Sequence, residues 1–306
     1  MTTNPVLPRF DAVECKSRFG TYRMAWTEWG DQDNPEVLIC VHGLSRSGRD
    51  FDRLAQVLCR RYRVVCPDIV GRGRSDWLPA AADPIEGYSV PQYVLDCAAL
   101  LGKLGAAQVR WIGTSMGGLI GMALASLPQS PITRLVLNDV GPVLNGQALA
   151  RIGEYIGADI RFASFDDGVQ YVRQISVSFG PHTDDQWRKL AANVLVEREE
   201  DGRKVWRFHY DPRIGAAFRV LAQANPTGAD ILLWEVYDAI RCPTLVLRGA
   251  ESDLLSRATH AAMGERGPKA QLVEFAGIGH APMLMHEDQI AVVERFLTAD
   301  ATHTGE

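Results

Sequence analysis

No apolar stretch in this chain of 306 residues is long enough to cross a bilayer. The most continuous ones, Val37–Val41 and Leu119–Leu127, fall far short of the ~20 residues a spanning helix needs, so neither a transmembrane helix nor a membrane partner is expected. The segment Met1–Asp11 carries polar residues and two prolines where an export signal would have a basic start and an apolar run of about 7 to 15 residues. A cytoplasmic protein is expected. Dense lysine or arginine runs are also missing, and the formal net charge is -5. That balance offers no surface that neutralises phosphates, which argues against a nucleic-acid partner. The six cysteines (Cys15, Cys40, Cys59, Cys66, Cys97, Cys242) form no C-x-x-C pair, and no histidines stand in H-x-H or H-E-x-x-H spacing. Neither a metal site nor another cofactor is expected. Several of the cysteines sit inside apolar, strand-like runs, where reduced thiols act as small core residues. No internal repeat or low-complexity tract interrupts the chain.

What is present is an ordinary globular composition, 46% hydrophobic and 23% charged, enough for a sizeable core. Short β-branched runs alternate with turns and helix-like segments, the signature of a parallel sheet with crossover helices. The predicted strands are Val37–Val41, Val64–Pro67, Val109–Ile112, Leu135–Asn138, Thr244–Leu247 and Gln271–Phe275. Phe10–Ser17 and Arg23–Trp29, split by Phe19-Gly20, predict an antiparallel hairpin at one sheet edge. The rhythm breaks from Gly141 to Arg241, where helix-like spacing and a very polar stretch, Glu197–Lys204, predict an inserted helical cap. Residues 1–140 and 241–306 then form the core and 141–240 the cap. The cap's aromatic residues (Tyr155, Phe162, Phe165, Tyr171, Phe179, Trp187, Trp206, Phe208, Tyr210, Phe218) can either line a substrate pocket or pack among themselves. Residues Ala299–Glu306 read as a frayed tail.

Chemistry enters at Gly113-Thr114-Ser115-Met116-Gly117, a G-x-S-x-G motif between the apolar run Val109–Ile112 and the helix-like Gly118–Leu127. Such a turn forces the serine into a strained conformation and exposes its hydroxyl at a helix start. There the free N–H of Met116 can stabilise an oxyanion. Upstream, Leu38–Leu44 ends a strand in His42-Gly43, so that the N–H of Leu44 can complete the oxyanion hole. His42 itself, at the strand end beside a glycine, reads as structural.

With these residues in hand the sequence resembles the α/β-hydrolase superfamily over nearly its whole length. Pro67-Asp68-Ile69-Val70-Gly71-Arg72-Gly73-Arg74-Ser75-Asp76 is similar to the family's D-x-x-G-x-G-x-S loop, and Gly277-Ile278-Gly279-His280-Ala281-Pro282 to its late histidine loop. The resemblance implies an eight-stranded, mostly parallel sheet, a helical cap after strand six, Ser115 as nucleophile and His280 as base. It places the acid after strand six or seven. Asp253, in Gly-Ala-Glu-Ser-Asp, has the family's spacing after strand seven; Asp139 and Glu251 are the alternatives. The implied activity is hydrolysis of a small carboxylic ester through an acyl-enzyme, with no cofactor. Cleavage of a carbon–carbon bond in a diketone-like compound, lactonase, thioesterase or perhydrolase activity, and a non-catalytic small-molecule receptor stay open, because the fold hosts many functions.

Overall fold

A computed structural model describes residues 7–224 and 227–299; the expected tail lies, from residue 300 onward, outside the described residues. Eight strands form the main sheet: β1 (Arg9–Ser17), β2 (Gly20–Trp29), β3 (Val37–Val41), β4 (Arg63–Pro67), β5 (Val109–Thr114), β6 (Ile132–Asn138), β7 (Thr244–Gly249) and β8 (Gln271–Phe275). Their order across the sheet is β1-β2-β4-β3-β5-β6-β7-β8. Pairing is antiparallel for β1–β2 and β2–β4 and parallel from β4 to β8. This is the α/β-hydrolase architecture, and every predicted strand lies within or overlaps an observed one.

The central strands are apolar without interruption because both faces are covered. Along β3, Val37, Ile39 and Val41 enter one core while Leu38 and Cys40 enter the other. Helices Val90–Leu104 and Met116–Ala125 cover the first face through Cys97, Leu100 and Ile120. Asp52–Leu58 and Glu287–Thr298 cover the second through Leu54, Leu58, Val293 and Phe296. All six cysteines are free thiols, and five are buried.

The segment between β6 and β7 is not all helical. Helices Gly146–Tyr155, Phe165–Ile175, Asp184–Ala192 and Gly215–Ala224 are joined by a three-stranded antiparallel sheet of Arg161–Phe162, Arg203–Phe208 and Leu195–Glu200. The polar stretch Glu197–Lys204 belongs to this hairpin. Its two-residue turn, Asp201-Gly202, has both residues at positive φ (50° and 71°), the geometry that Asp-Gly hairpins favour. The outer strand is polar because it faces solvent, which hid its extended conformation in the sequence.

Candidate active site

Ser115 sits between the end of β5 and the start of the helix Met116–Ala125, with φ 51° and ψ -113°. A non-glycine residue held there is strained, and such strain persists only where the surroundings over-determine it. They do so here. The Ser115 N–H donates to the Asn138 carbonyl at 3.0 Å, and the Ser115 carbonyl accepts from the Gly118 N–H at 2.9 Å. A Cβ at Gly113 would lie 2.1 Å from the Gly117 carbonyl oxygen, and one at Gly117 would lie 2.1 Å from that of Val41. Only glycine at both positions lets the helix start this close to the strands.

His280 stands on the loop after β8, and its ring joins two distant groups. Nε2 lies 3.0 Å from Ser115 Oγ, and Nδ1 lies 2.7 Å from Asp139 Oδ2. The carboxylate accepts, so Nδ1 carries the hydrogen and Nε2 is left to accept from the serine hydroxyl. The loop is held from two sides: the Gly279 N–H donates to the Ser178 carbonyl at 2.7 Å, Ser178 Oγ donates to the His280 carbonyl at 2.8 Å, and Asn138 Nδ2 donates to the Pro282 carbonyl at 2.8 Å. Ser178 belongs to the segment inserted between β6 and β7, so the insertion helps to place the imidazole.

The acid expected after β7 is not at the histidine. Asp253 is 52% exposed and ion-paired with Arg151, itself 55% exposed, and neither Asp253 nor Glu251 bonds the His280 ring. Asp139, fully buried at the end of β6, takes the place instead. Its Oδ1 accepts from the Gly249 N–H at 2.9 Å, and its Oδ2 accepts from Ser252 Oγ at 2.6 Å as well as from His280. The cause is the turn that follows β7. The Ser252 N–H bonds the Gly249 carbonyl at 2.9 Å, a tight return that sends the Ser252 hydroxyl inward and leaves Asp253 on the surface. Asp139 has φ 54° and is anchored by its own N–H, which donates to the Leu247 carbonyl of β7 at 2.8 Å.

Leu44 and Met116 flank Ser115, and among the described residues neither backbone N–H has a protein acceptor. Their segments are joined from behind by Arg72, whose Nε donates to the Leu44 carbonyl at 2.9 Å and whose Nη2 lies 3.5 Å from Met116 Sδ. His42 is a structural clamp: Nδ1–H donates to the Gly43 carbonyl at 2.7 Å, and Nε2 accepts from the Ile69 N–H at 3.0 Å. Burial, reinforced by the Arg72 and Arg46 charges, pushes its pKa down to about 3 against the opposing bond to Gly43, so it stays neutral. Asp68 frames the neighbouring loop by accepting from the Gly48 and Arg74 N–H groups at 2.7 and 2.9 Å. His209, from the insertion, accepts from the Gly73 N–H at 2.6 Å.

Ser115 and His280 open into a cavity of about 260 Å³. The insertion lines it with Ile152, Ile156, Val172, Ile175, Phe179 and Phe208. Of the aromatic residues, Tyr155, Phe179 and Phe208 reach this cavity, while Phe162, Phe165, Tyr171 and Trp206 pack with one another and with Val169 and Val172. Ser252, Ser178 and Arg72 had no recognised role in the sequence. Arg72 and Ser252 stand in the stretches Pro67–Asp76 and Gly249–Asp253, but nothing in those stretches marks a role for either side chain, and Ser178 stands in no motif.

The chain matches the model of the alpha/beta hydrolase family over residues 38–294 and belongs to that family. It is 49% identical over 291 residues to the 3-hydroxybutyrate-oligomer hydrolase of Cupriavidus necator, covering 95% of this chain and 98% of that protein. It is 27% identical to the esterase YbfF of Escherichia coli, covering 82% and 88% of the two chains. Among solved structures, an alpha/beta hydrolase of Novosphingobium aromaticivorans superposes with a TM-score of 0.81 at 34% identity, over 95% of this chain and 99% of that one.

Proposed function

We propose that the protein hydrolyses ester bonds of short 3-hydroxybutyrate oligomers, with Ser115 as nucleophile, His280 as general base and Asp139 as the acid that orients it. His280 Nε2 takes the Ser115 proton as Oγ attacks the ester carbonyl. The carbonyl oxygen becomes an oxyanion facing the N–H groups of Leu44 and Met116. Collapse expels the alkoxide of the next unit, which His280 protonates, and leaves an acyl-enzyme. Water, deprotonated by His280, then releases 3-hydroxybutyrate and restores Ser115. Asp139 keeps the imidazole in the required tautomer and stabilises the imidazolium.

The observation that carries this reading is the pair of bonds Ser115–His280 and His280–Asp139, at 3.0 and 2.7 Å, beside the cavity. The substrate class is supported by the 49% identity to the Cupriavidus enzyme over nearly the full length of both chains. The cavity, about 260 Å³ and lined by Ile152, Ile156, Val172 and Ile175 together with aromatic and polar side chains that include Arg151 and Asp253, is near the small end of ligand pockets, ~300–1,000 Å³. That suits four-carbon units better than a polymer. The test is to incubate purified protein with the linear dimer and trimer of 3-hydroxybutyrate and measure monomer release. Release by the wild type and its loss in Ser115→Ala is expected; equal release by both would overturn the assignment.

A further inference from the structure

Arg72 is completely buried, yet no carboxylate pairs with it among the described residues. Its Nη1 donates to the Val70 carbonyl and to Tyr93 Oη, each at 2.8 Å. Its guanidinium carbon lies 5.0 Å from the centre of the Tyr93 ring and 5.8 Å from that of Tyr88. Together with Nε on the Leu44 carbonyl and Nη2 beside Met116 Sδ, every contact is to a neutral group. Arg248, also buried, has Glu274 as counter-ion at 2.5 Å, and Arg46 is neutralised by Asp50 at 2.6 Å. The two imidazoles nearest this region, His42 and His209, are both held neutral by burial, each with its pKa pushed down to about 3. One full positive charge is therefore sealed beside Leu44 and Met116 with no carboxylate paired to it among the described residues; Asp211 reaches it only through Tyr88, whose Oη donates to Asp211 Oδ2 at 2.6 Å.

A buried unpaired ion destabilises the folded state, and a fold keeps it where the charge is used. We propose that Arg72 is a positioning residue for the oxyanion: it braces Leu44 and Met116, and its charge becomes balanced only when the tetrahedral intermediate forms. A neutral ester gains little from that charge, whereas the intermediate gains a great deal, so the interaction favours the transition state selectively. This rests on the acyl-transfer reading above.

The test compares Arg72→Met and Arg72→Lys with wild type, using p-nitrophenyl butyrate as substrate and butylboronic acid, which becomes a tetrahedral borate on Ser115, as an analogue of the intermediate. Thermal melts show whether each variant is folded. Arg72→Met is expected to lose about 10²- to 10³-fold in kcat, the scale of a lost oxyanion contact, with KM changed less than about threefold and boronate affinity reduced in parallel with kcat. Arg72→Lys keeps the charge and should recover at least about tenfold of that loss in both readouts. A purely structural role predicts equal losses in the two variants with unchanged boronate affinity, and that result overturns the proposal. If Arg72→Met does not fold, Arg72→Lys decides alone: changes in kcat and boronate affinity that agree within about threefold support the role of the charge, and a kcat loss that exceeds the loss of boronate affinity by more than that sinks it. A wild-type protein that binds the boronate but cleaves no 3-hydroxybutyrate ester would refute the substrate reading and leave this comparison intact.

Discussion

Asp139 Oδ2 lies 2.7 Å from His280 Nδ1 across 141 positions of sequence, while Asp253, much nearer in the chain, faces solvent with Arg151. The two carboxylates should therefore differ sharply in kinetic weight. Asp139→Asn is expected to cost about 10⁴ in kcat, as in a comparable triad where the amide imposes the wrong tautomer. Asp253→Asn should cost less than about threefold, since an exposed ion pair contributes little. Steady-state kinetics on p-nitrophenyl butyrate decide it, and the opposite ranking would return the acid to the turn after β7.

Ser252 donates to the same Asp139 oxygen that His280 uses, at 2.6 Å. A hydrogen bond to a charged acceptor is worth about 1.5–3 kcal/mol. Ser252→Ala should accordingly lower kcat by about tenfold or more, with KM nearly unchanged. An unaltered kcat would show that Asp139 is held by Gly249 and the fold alone.

At the elbow, a Cβ on Gly117 would lie 2.1 Å from the Val41 carbonyl oxygen, a backbone atom with nowhere to move. Gly117→Ala should destabilise the protein by about 3 kcal/mol, at the upper end of overpacking costs. Urea unfolding measures this, and a loss under about 1 kcal/mol would mean that the strand and helix separate easily.

Four buried groups make stability depend on pH in opposing ways. His42 and His209 have folded pKa values of about 3 against an ordinary 6.5, through burial. The unfolded chain binds more protons than the folded one in that window, so their contribution is complete above pH 6.5 and is lost as pH falls. Asp68 and Asp96, raised by burial to about 6 from 3.8, contribute stability that is complete below pH 3.8 and is lost as pH rises through 6. Between pH 5 and 6 the two pairs nearly cancel, so variants must separate them. The destabilisation caused by His42→Gln should shrink from pH 7 to pH 5, and that caused by Asp68→Asn should grow. Urea midpoints at the two pH values test both trends, and parallel trends would contradict the assignment.

Ile152 and Phe208 bring the insertion against the cavity. Ile152→Phe should reduce kcat/KM for the 3-hydroxybutyrate trimer about tenfold relative to p-nitrophenyl acetate, the scale of a steric change in an apolar pocket. An unchanged ratio would place substrate selection elsewhere.

The sheet was legible in the sequence because its central strands are buried on both faces and so read as unbroken β-branched runs. The Ser115 turn was legible because its two glycines and the flanking strand and helix are all local. His280 was legible through its glycine-rich loop. The outer hairpin of the insertion was not, since a solvent-facing strand such as Leu195–Glu200 needs no apolar alternation, and the Asp201-Gly202 turn was the one local sign of it. Which carboxylate reaches His280 was decided only by tertiary structure. Both Asp139 and Asp253 follow a strand, and what separates them is the pairing of β6 with β7 and the tight turn at Gly249, which turns Ser252 inward and Asp253 outward. The setting of Arg72 is likewise tertiary: its burial and its lack of a counter-ion depend on Leu44, Tyr93 and Met116, which belong to the connections after β3, β4 and β5 and meet only when those parallel strands bring their C-terminal ends together.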